Sequence, residues 1–116
     1  LGLFLDVQET ENKQLEQGIR YMFYDLYKQG TIFEVVFDMP KFLVSHANSG
    51  FYSQDLEEEL KIKGTTAKKY IKIMMEINLI SQDKTTGRKH FYKLIKENVM
   101  KRLGEQQISM MRQASS

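Results

Sequence analysis

The spacing of apolar residues changes near residue 79, and this change constrains the fold more than any other feature. Before it, apolar residues recur every three or four positions, which predicts a helix from Thr65 or Thr66 to Ile77. Its predicted buried residues are Ala67, Tyr70 or Ile71, Met74 and Ile77. After it, LISQD and HFYKLI are short and strand-like, and the polar turn KTTGRK joins them. The sequence therefore predicts a helix followed by a β-hairpin with a basic tip, and Asn78 can close that helix in a left-handed conformation.

A second short helix is predicted just before this unit. Phe51-Tyr52 is a candidate brief strand, and Ser53 is a good N-cap for the helix QDLEEEL, which the pair Lys63-Gly64 would end. The acidic triplet 57–59 would repel a polyanion, so we expect it to form the solvated face of this helix and to point away from any such partner. The order is then helix, turn, helix and hairpin.

Helices are also predicted on both sides of this unit. From about Gln8 to Gln29 a helical stripe ends at Gly30. The stripe consists of Leu15, Ile19, Met22, Phe23 and Leu26, and we expect Tyr21, Tyr24 and Tyr27 to widen it into a second packing face. The segment 31–37 fits either a helix start or a strand, and a helix over roughly 39–47 follows, with Pro40 in its first turn. A last helix runs from about Lys96 toward Arg112, weakened at Gly104. Its apolar positions are Val99, Met100, Leu103, Ile108 and Met111.

Charge is divided unevenly along the chain, although the net charge is only +2. Residues 1–60 hold four Lys/Arg and eleven Asp/Glu, whereas residues 61–102 hold twelve and three. A basic segment of this length predicts a face that attracts polyanions. The 116 residues predict one domain over 1–116, with an N-terminal helix in 1–30, the central unit in 51–95 and a C-terminal helix in 96–116. The lack of cysteine fits a reducing, cytoplasmic setting, and no apolar run reaches the ~20 residues that span a bilayer.

The segment LKIKGTTAKKYIKIMMEINLI, followed by GRKHFYKL, resembles the winged helix-turn-helix of MarR-type regulators and related plasmid and phage DNA-binding proteins. The resemblance covers about 51–95. The positions that carry it are Leu60, Ile62, Thr65, Thr66, Ala67, Asn78, Leu79 and Ile80. It departs from the family at Lys63, where Ser or Thr usually caps the recognition helix, so the cap would move to Thr65 or stay unsupplied. The resemblance implies a mainly α fold with a small β-hairpin wing and extra terminal helices.

In such a fold the recognition helix enters the major groove of double-stranded DNA, and the wing tip contacts an adjacent phosphate or the minor groove. Gly64 would let the backbone come close, while lysines and threonines would contact phosphates or base edges. The predicted DNA-binding residues are Lys63, Gly64, Thr65, Thr66, Lys68, Lys69, Lys72, Lys84, Thr86, Arg88 and Lys89.

No catalytic signature or cofactor motif is present in the sequence, and an enzyme is not expected. His46 and His90 are too far apart for metal-ligand spacing, and the methionines are typical core or interface residues. The first and last helices are candidate interfaces of a homodimer, which we expect; the alternative is that both helices cover the core of a monomer. Three functions stay open: a transcriptional regulator or a segregation or replication factor that binds DNA, a protein-interaction module, and a repressor with an effector pocket beside the first helix.

Overall fold

The computed structural model describes residues 2–32, 38–84 and 90–115, and side chains within 7–32, 38–84 and 90–113. Within these ranges the chain is mainly helical with a small antiparallel sheet, as predicted. The elements are α1 Gly2–Lys28, α2 Met39–Ser45, β1 Phe51–Tyr52, α3 Ser53–Leu60, α4 Gly64–Glu76, β2 Ile80–Gln82, β3 Phe91–Leu94 and α5 Lys96–Ser115. No described helix is both long and apolar enough to cross a bilayer.

The chain divides into two compact units. The terminal unit comprises Leu1–Val35 and Glu97–Ser116, and the central unit comprises Val36–Lys96. The single domain expected over 1–116 stays a prediction.

In the terminal unit, α1 begins earlier than the predicted Gln8 and ends where predicted. Gly30 has a φ of +76°, a conformation that costs glycine little. Its N–H donates to the Tyr27 carbonyl, and the Thr31 N–H donates to the Leu26 carbonyl, at 3.1 and 3.0 Å. This pair of bonds is a Schellman motif, which satisfies the last carbonyls of the helix. The predicted stripe of five apolar residues on α1 is buried.

Two contacts join α1 to α5 within this unit. A Cβ on Gly18 would lie 2.7 Å from both Val99 Cγ1 and the Val99 carbonyl oxygen, so the two helices touch closely there. Farther along, Arg102 donates from Nε and a terminal nitrogen to the two Asp25 oxygens at 2.7 and 3.0 Å. This bond with Arg102 lowers the pKa of Asp25 below its ordinary value, although partial burial opposes the shift.

Within the single chain, the second packing face predicted for α1 is wrong for two of its three tyrosines. Tyr24 and Tyr27 are more than half exposed, while Tyr21 is half-buried beside the Arg102 guanidinium, 5.4 Å from its ring centroid. On α5, Val99 and Leu103 are buried. Among the described side chains of that helix, Met100, Ile108, Met110 and Met111 are exposed apolar residues.

In the central unit, the strands form one antiparallel sheet in the order β1-β3-β2. Phe51 pairs with Tyr92 and Ile80 pairs with Leu94. Beyond the β2–β3 ladder, the Asp83 N–H donates to the Phe91 carbonyl at 2.8 Å, toward the predicted tip. Both strands of the predicted hairpin and the short strand at Phe51-Tyr52 are confirmed.

The helix predicted over 39–47 is shorter, since α2 ends at Ser45, and Pro40 lies in its first turn as expected. The ambiguous segment 31–37 falls outside the described residues from 33 onward.

Helix α3 packs against α2, α4 and β1, and α4 packs against β2. The sheet and α3 therefore support one face of α4.

Candidate nucleic-acid interface

The start of α3 differs from the prediction by one residue. Tyr52, not Ser53, is the N-cap, and Ser53 is the first helical residue. The Tyr52 N–H donates to Asp55 Oδ2 at 2.8 Å. A carboxylate in the first turn therefore accepts from the cap backbone, which is half of a capping box. This helix start does not need the hydroxyl of Ser53.

The turn between α3 and α4 is also built differently from the prediction. Lys63-Gly64 does not end α3; the helix ends at Leu60, and Lys61 takes a left-handed φ of +53°. The Ile62 N–H then donates to the Glu57 carbonyl at 3.2 Å, again as in a Schellman motif. Gly64 is the first residue of α4, and Lys63 is its N-cap with no side-chain hydrogen bond to the helix. Two possibilities were predicted, a cap moved to Thr65 or a cap left unsupplied. The structure shows the second, because the helix begins before Thr65 and Lys63 supplies no side-chain cap.

The end of α4 confirms the role predicted for Asn78, which has a φ of +59°. Its N–H donates to the Met75 carbonyl at 3.1 Å, and the Leu79 N–H donates to the Met74 carbonyl at 2.9 Å. Leu79 is fully buried, so this closure also anchors the chain as it enters β2.

The two faces of α4 are chemically separate. The inner face buries Ala67, Tyr70, Ile71, Ile73 and Met74. Tyr70 and Ile71, which were predicted as alternatives, are therefore both core residues. Ile77, predicted to be buried, is only half-buried. The outer face exposes Thr65, Lys68, Lys69 and Lys72, and Lys63 is exposed just before the helix. Thr66 and Gly64 are half-buried. The structure therefore brings the predicted basic residues of α4 together on the solvent side of one helix.

A carboxylate lies at the beginning of this helix. A Cβ on Gly64 would be 2.8 Å from Glu57 Oε1, so the Glu57 side chain lies directly against the first residue of α4. Anionic groups are favourable there because the helix N-terminus carries partial positive charge. Glu58 and Glu59 are exposed. One member of the acidic triplet therefore touches the predicted recognition helix.

The second half of the predicted site is only partly described. Lys84 is exposed after β2. The other predicted tip residues, Thr86, Arg88 and Lys89, lie outside the described residues, and their role stays a prediction. Within the hairpin, Lys93 Nζ lies 3.4 Å from Asp83 Oδ2, which partly neutralises that lysine.

A cleft between α4 and β3 adjoins the basic face, and the sequence did not indicate it. Its volume is about 420 Å³, and its lining includes Lys68, Ile71, Lys72 and Met75 from α4, with His90 and Tyr92 from the β3 side. His90 was expected within a strand, but it precedes β3 with a left-handed φ of +62°. Its carbonyl accepts from the Ser53 N–H at 3.2 Å. Burial raises the pKa of Tyr92 above its ordinary value.

The other histidine has a structural environment. His46 Nε2 lies 2.9 Å from Glu59 Oε2, and its ring packs against Phe42 with centroids 4.4 Å apart. No group of three or more potential metal ligands occurs within the described part of the chain.

Comparison with known proteins gave no match to any family model, curated protein or solved structure.

Proposed function

We propose that this chain is a winged-helix protein that binds double-stranded DNA sequence-specifically as a transcriptional regulator, with α4 as its recognition helix. The observation that carries the proposal is the outer face of α4, where Lys68, Lys69 and Lys72 are exposed together while the opposite face is buried. A helix of this diameter fits the major groove, and exposed lysines can contact its phosphates and guanine acceptors.

The order of elements supports the same proposal. Two helices joined by a three-residue turn are followed by an antiparallel hairpin, and a third strand completes the sheet. The resemblance over 51–95 to MarR-type regulators and related plasmid and phage proteins covers these elements. Segregation or replication factors of the same architecture would use the same residues, so they remain alternatives within the DNA-binding proposal.

We further propose that the protein acts as a homodimer through its terminal unit. The exposed apolar side chains of that unit support this, since Tyr24 and Tyr27 on α1 and Ile108, Met110 and Met111 on α5 are each more than half exposed. Such side chains on helices are typical of protein interfaces. A dimer would present two recognition helices to two half-sites.

The test is binding to duplexes selected from a random pool, measured over a range of salt concentrations. Phosphate contacts predict a linear fall of log affinity with log salt, and Lys69→Ala should weaken binding severalfold and reduce the slope by about 0.9. The matched control is Lys101→Ala, which removes an exposed lysine from α5. Salt-independent affinity, or equal effects of the two variants, would contradict the proposal.

The wing tip needs its own variant. Arg88→Ala should weaken binding if the tip contacts the minor groove, where a single arginine fits well. If Lys69→Ala and Arg88→Ala both leave DNA binding unchanged while substitutions in α1 or α5 abolish a protein complex, the chain is a protein-interaction module instead.

A further inference from the structure

The cleft between α4 and β3 combines an apolar interior with a cationic edge. Ile71 and Tyr92 are at most 6% exposed and form part of its wall, whereas Met75 is 37% exposed. Lys68 and Lys72 lie at its α4 edge, and Glu76 is the acidic residue of the lining. An occupant matched to this lining has an anionic group next to a compact apolar body.

The two lysines can act on one anion. They are four residues apart on α4, and side chains at this spacing lie on the same face about 5–6 Å apart at their Cβ atoms. Because both also belong to the exposed basic face of α4, an anion held at the cleft edge would be continuous with a polyanion on that face. The carboxylate of Glu76 repels an anion, but the two lysines outnumber it, so the charge of these three side chains at the cleft is net positive.

We propose, on the basis of the DNA-binding function above, that this cleft holds one sugar–phosphate unit of the DNA backbone and that His90 is a further DNA-contacting residue. The phosphate would lie between the two lysines and His90, and the deoxyribose would lie against Met75. The cleft volume of about 420 Å³ leaves room for one deoxyribose and its phosphate. Phosphate contacts of this kind fix the register of a protein on the duplex.

The position of His90 follows from its backbone. Its left-handed conformation, which histidine adopts more readily than most residues, and the bond from the Ser53 N–H hold it where β3 begins. Its side chain is exposed and lines the cleft opposite α4. A replacement must tolerate the same φ, and Asn and Asp do so best.

This tolerance provides a matched pair of variants. His90→Asp adds a negative charge opposite the two lysines, and His90→Asn provides a neutral side chain of nearly the same shape. Ser49→Asp adds the same charge at an exposed turn of the central unit and serves as the control. We expect His90→Asp to bind the selected duplex about tenfold or more weaker than Ser49→Asp, and His90→Asn to stay within about threefold of the wild type.

The sharper measurement replaces individual phosphates of the duplex with neutral methylphosphonates. Substitution at one phosphate should lower the affinity of the wild type. The same substitution should change the affinity of His90→Asp much less, because that variant has already lost the contact with this phosphate. If the wild type binds the duplex but His90→Asp and Ser49→Asp behave alike, or every phosphate behaves alike in the two proteins, the cleft proposal fails and the DNA-binding function stands. If the wild type binds no duplex, both fail. If inorganic phosphate or a small organic acid shifts the His90 ring NMR signals and bound DNA does not, the cleft is a small-anion site and the proposal is overturned.

Discussion

Helices α4 and α5 both bury one face, but their exposed faces differ in chemistry. On α4 the exposed positions are mainly threonine and lysine, and on α5 they include Ile108, Met110 and Met111, each more than half exposed. Exposed lysines are well solvated, whereas several exposed apolar side chains near one end of a helix are typical of a protein interface. Under the proposed function, the two helices would therefore be specialised for different partners, a polyanion for α4 and an apolar protein surface for α5.

The largest expected effect comes from reversing the charge of α4. Lys69→Glu combined with Lys72→Glu should lower DNA affinity at least about 100-fold, roughly 2.7 kcal/mol, because two attractive contacts become repulsive. The measurement is a binding titration at constant salt. Lys13→Glu combined with Lys101→Glu, at two exposed lysines of the terminal unit, changes the net charge equally and should have a much smaller effect. An equal loss would mean that only net charge matters.

The next effect concerns how closely α5 approaches α1. Gly18→Ala would place a Cβ 2.7 Å from the Val99 carbonyl oxygen, and since backbone cannot move aside cheaply, we expect a loss of about 1–3 kcal/mol in the free energy of unfolding. Gly104→Ala is the matched variant on α5, because a Cβ there meets no atom within 4 Å. It should stabilise by about 0.5–1 kcal/mol through helix propensity. Thermal or denaturant unfolding that ranks the two variants the other way would contradict the described packing.

A smaller effect tests the apolar face of α5. Ile108→Glu should weaken self-association about tenfold, roughly 1.4 kcal/mol, because a charged carboxylate would have to be desolvated in the interface. Sedimentation velocity over a concentration series measures it. Gln107→Glu, at a neighbouring exposed position, is the control. Equal association constants for the two variants would place the interface elsewhere.

The smallest expected effect is the pH dependence of the ion pair inside the terminal unit. Because Arg102 lowers the folded-state pKa of Asp25, the unfolded chain binds more protons in acid, and the pair stabilises above the unfolded pKa of about 3.9. This contribution is lost as pH falls through the lower folded value. Asp25 is 38% exposed, so solvent screening limits the effect to about 0.5–1 kcal/mol. The stability difference between the wild type and Asp25→Asn should therefore be constant near neutral pH and shrink as the pH falls from the unfolded pKa through the lower folded pKa of Asp25. A difference that stays unchanged in acid would show that the ion pair is not its cause.

The spacing of apolar residues predicted most helices and strands of the central unit. It could do so because the residues with that spacing are the ones that the structure buries. Asn78 could be assigned to the left-handed position because it is one of the few residues that adopt it readily. Lys61 could not be assigned to a left-handed position from the sequence, because lysine has no such preference and the Schellman motif that ends α3 consists of backbone hydrogen bonds. His90 was included in a strand because it directly precedes the strand-like run Phe91–Leu94, although histidine tolerates the left-handed conformation.

Side-chain environments between elements were harder to predict. Tyr24 and Tyr27 look like core residues in a stripe, and only the positions of neighbouring elements leave them exposed. The cleft beside α4 is formed by α3, α4 and β3 together, so no local pattern indicates it. The contact of Glu57 with Gly64 likewise depends on the angle at which α3 meets α4.

That contact has a consequence for the pose on DNA under the proposed function. The carboxylate of Glu57 already acts as an internal counter-ion at the first turn of α4, and it would repel a backbone oxygen approaching end-on. The same carboxylate can accept from the amino groups of cytosine or adenine. Helix α4 would therefore lie lengthwise in the groove, with its lysine-bearing flank toward the backbone and its tip toward amino-bearing bases.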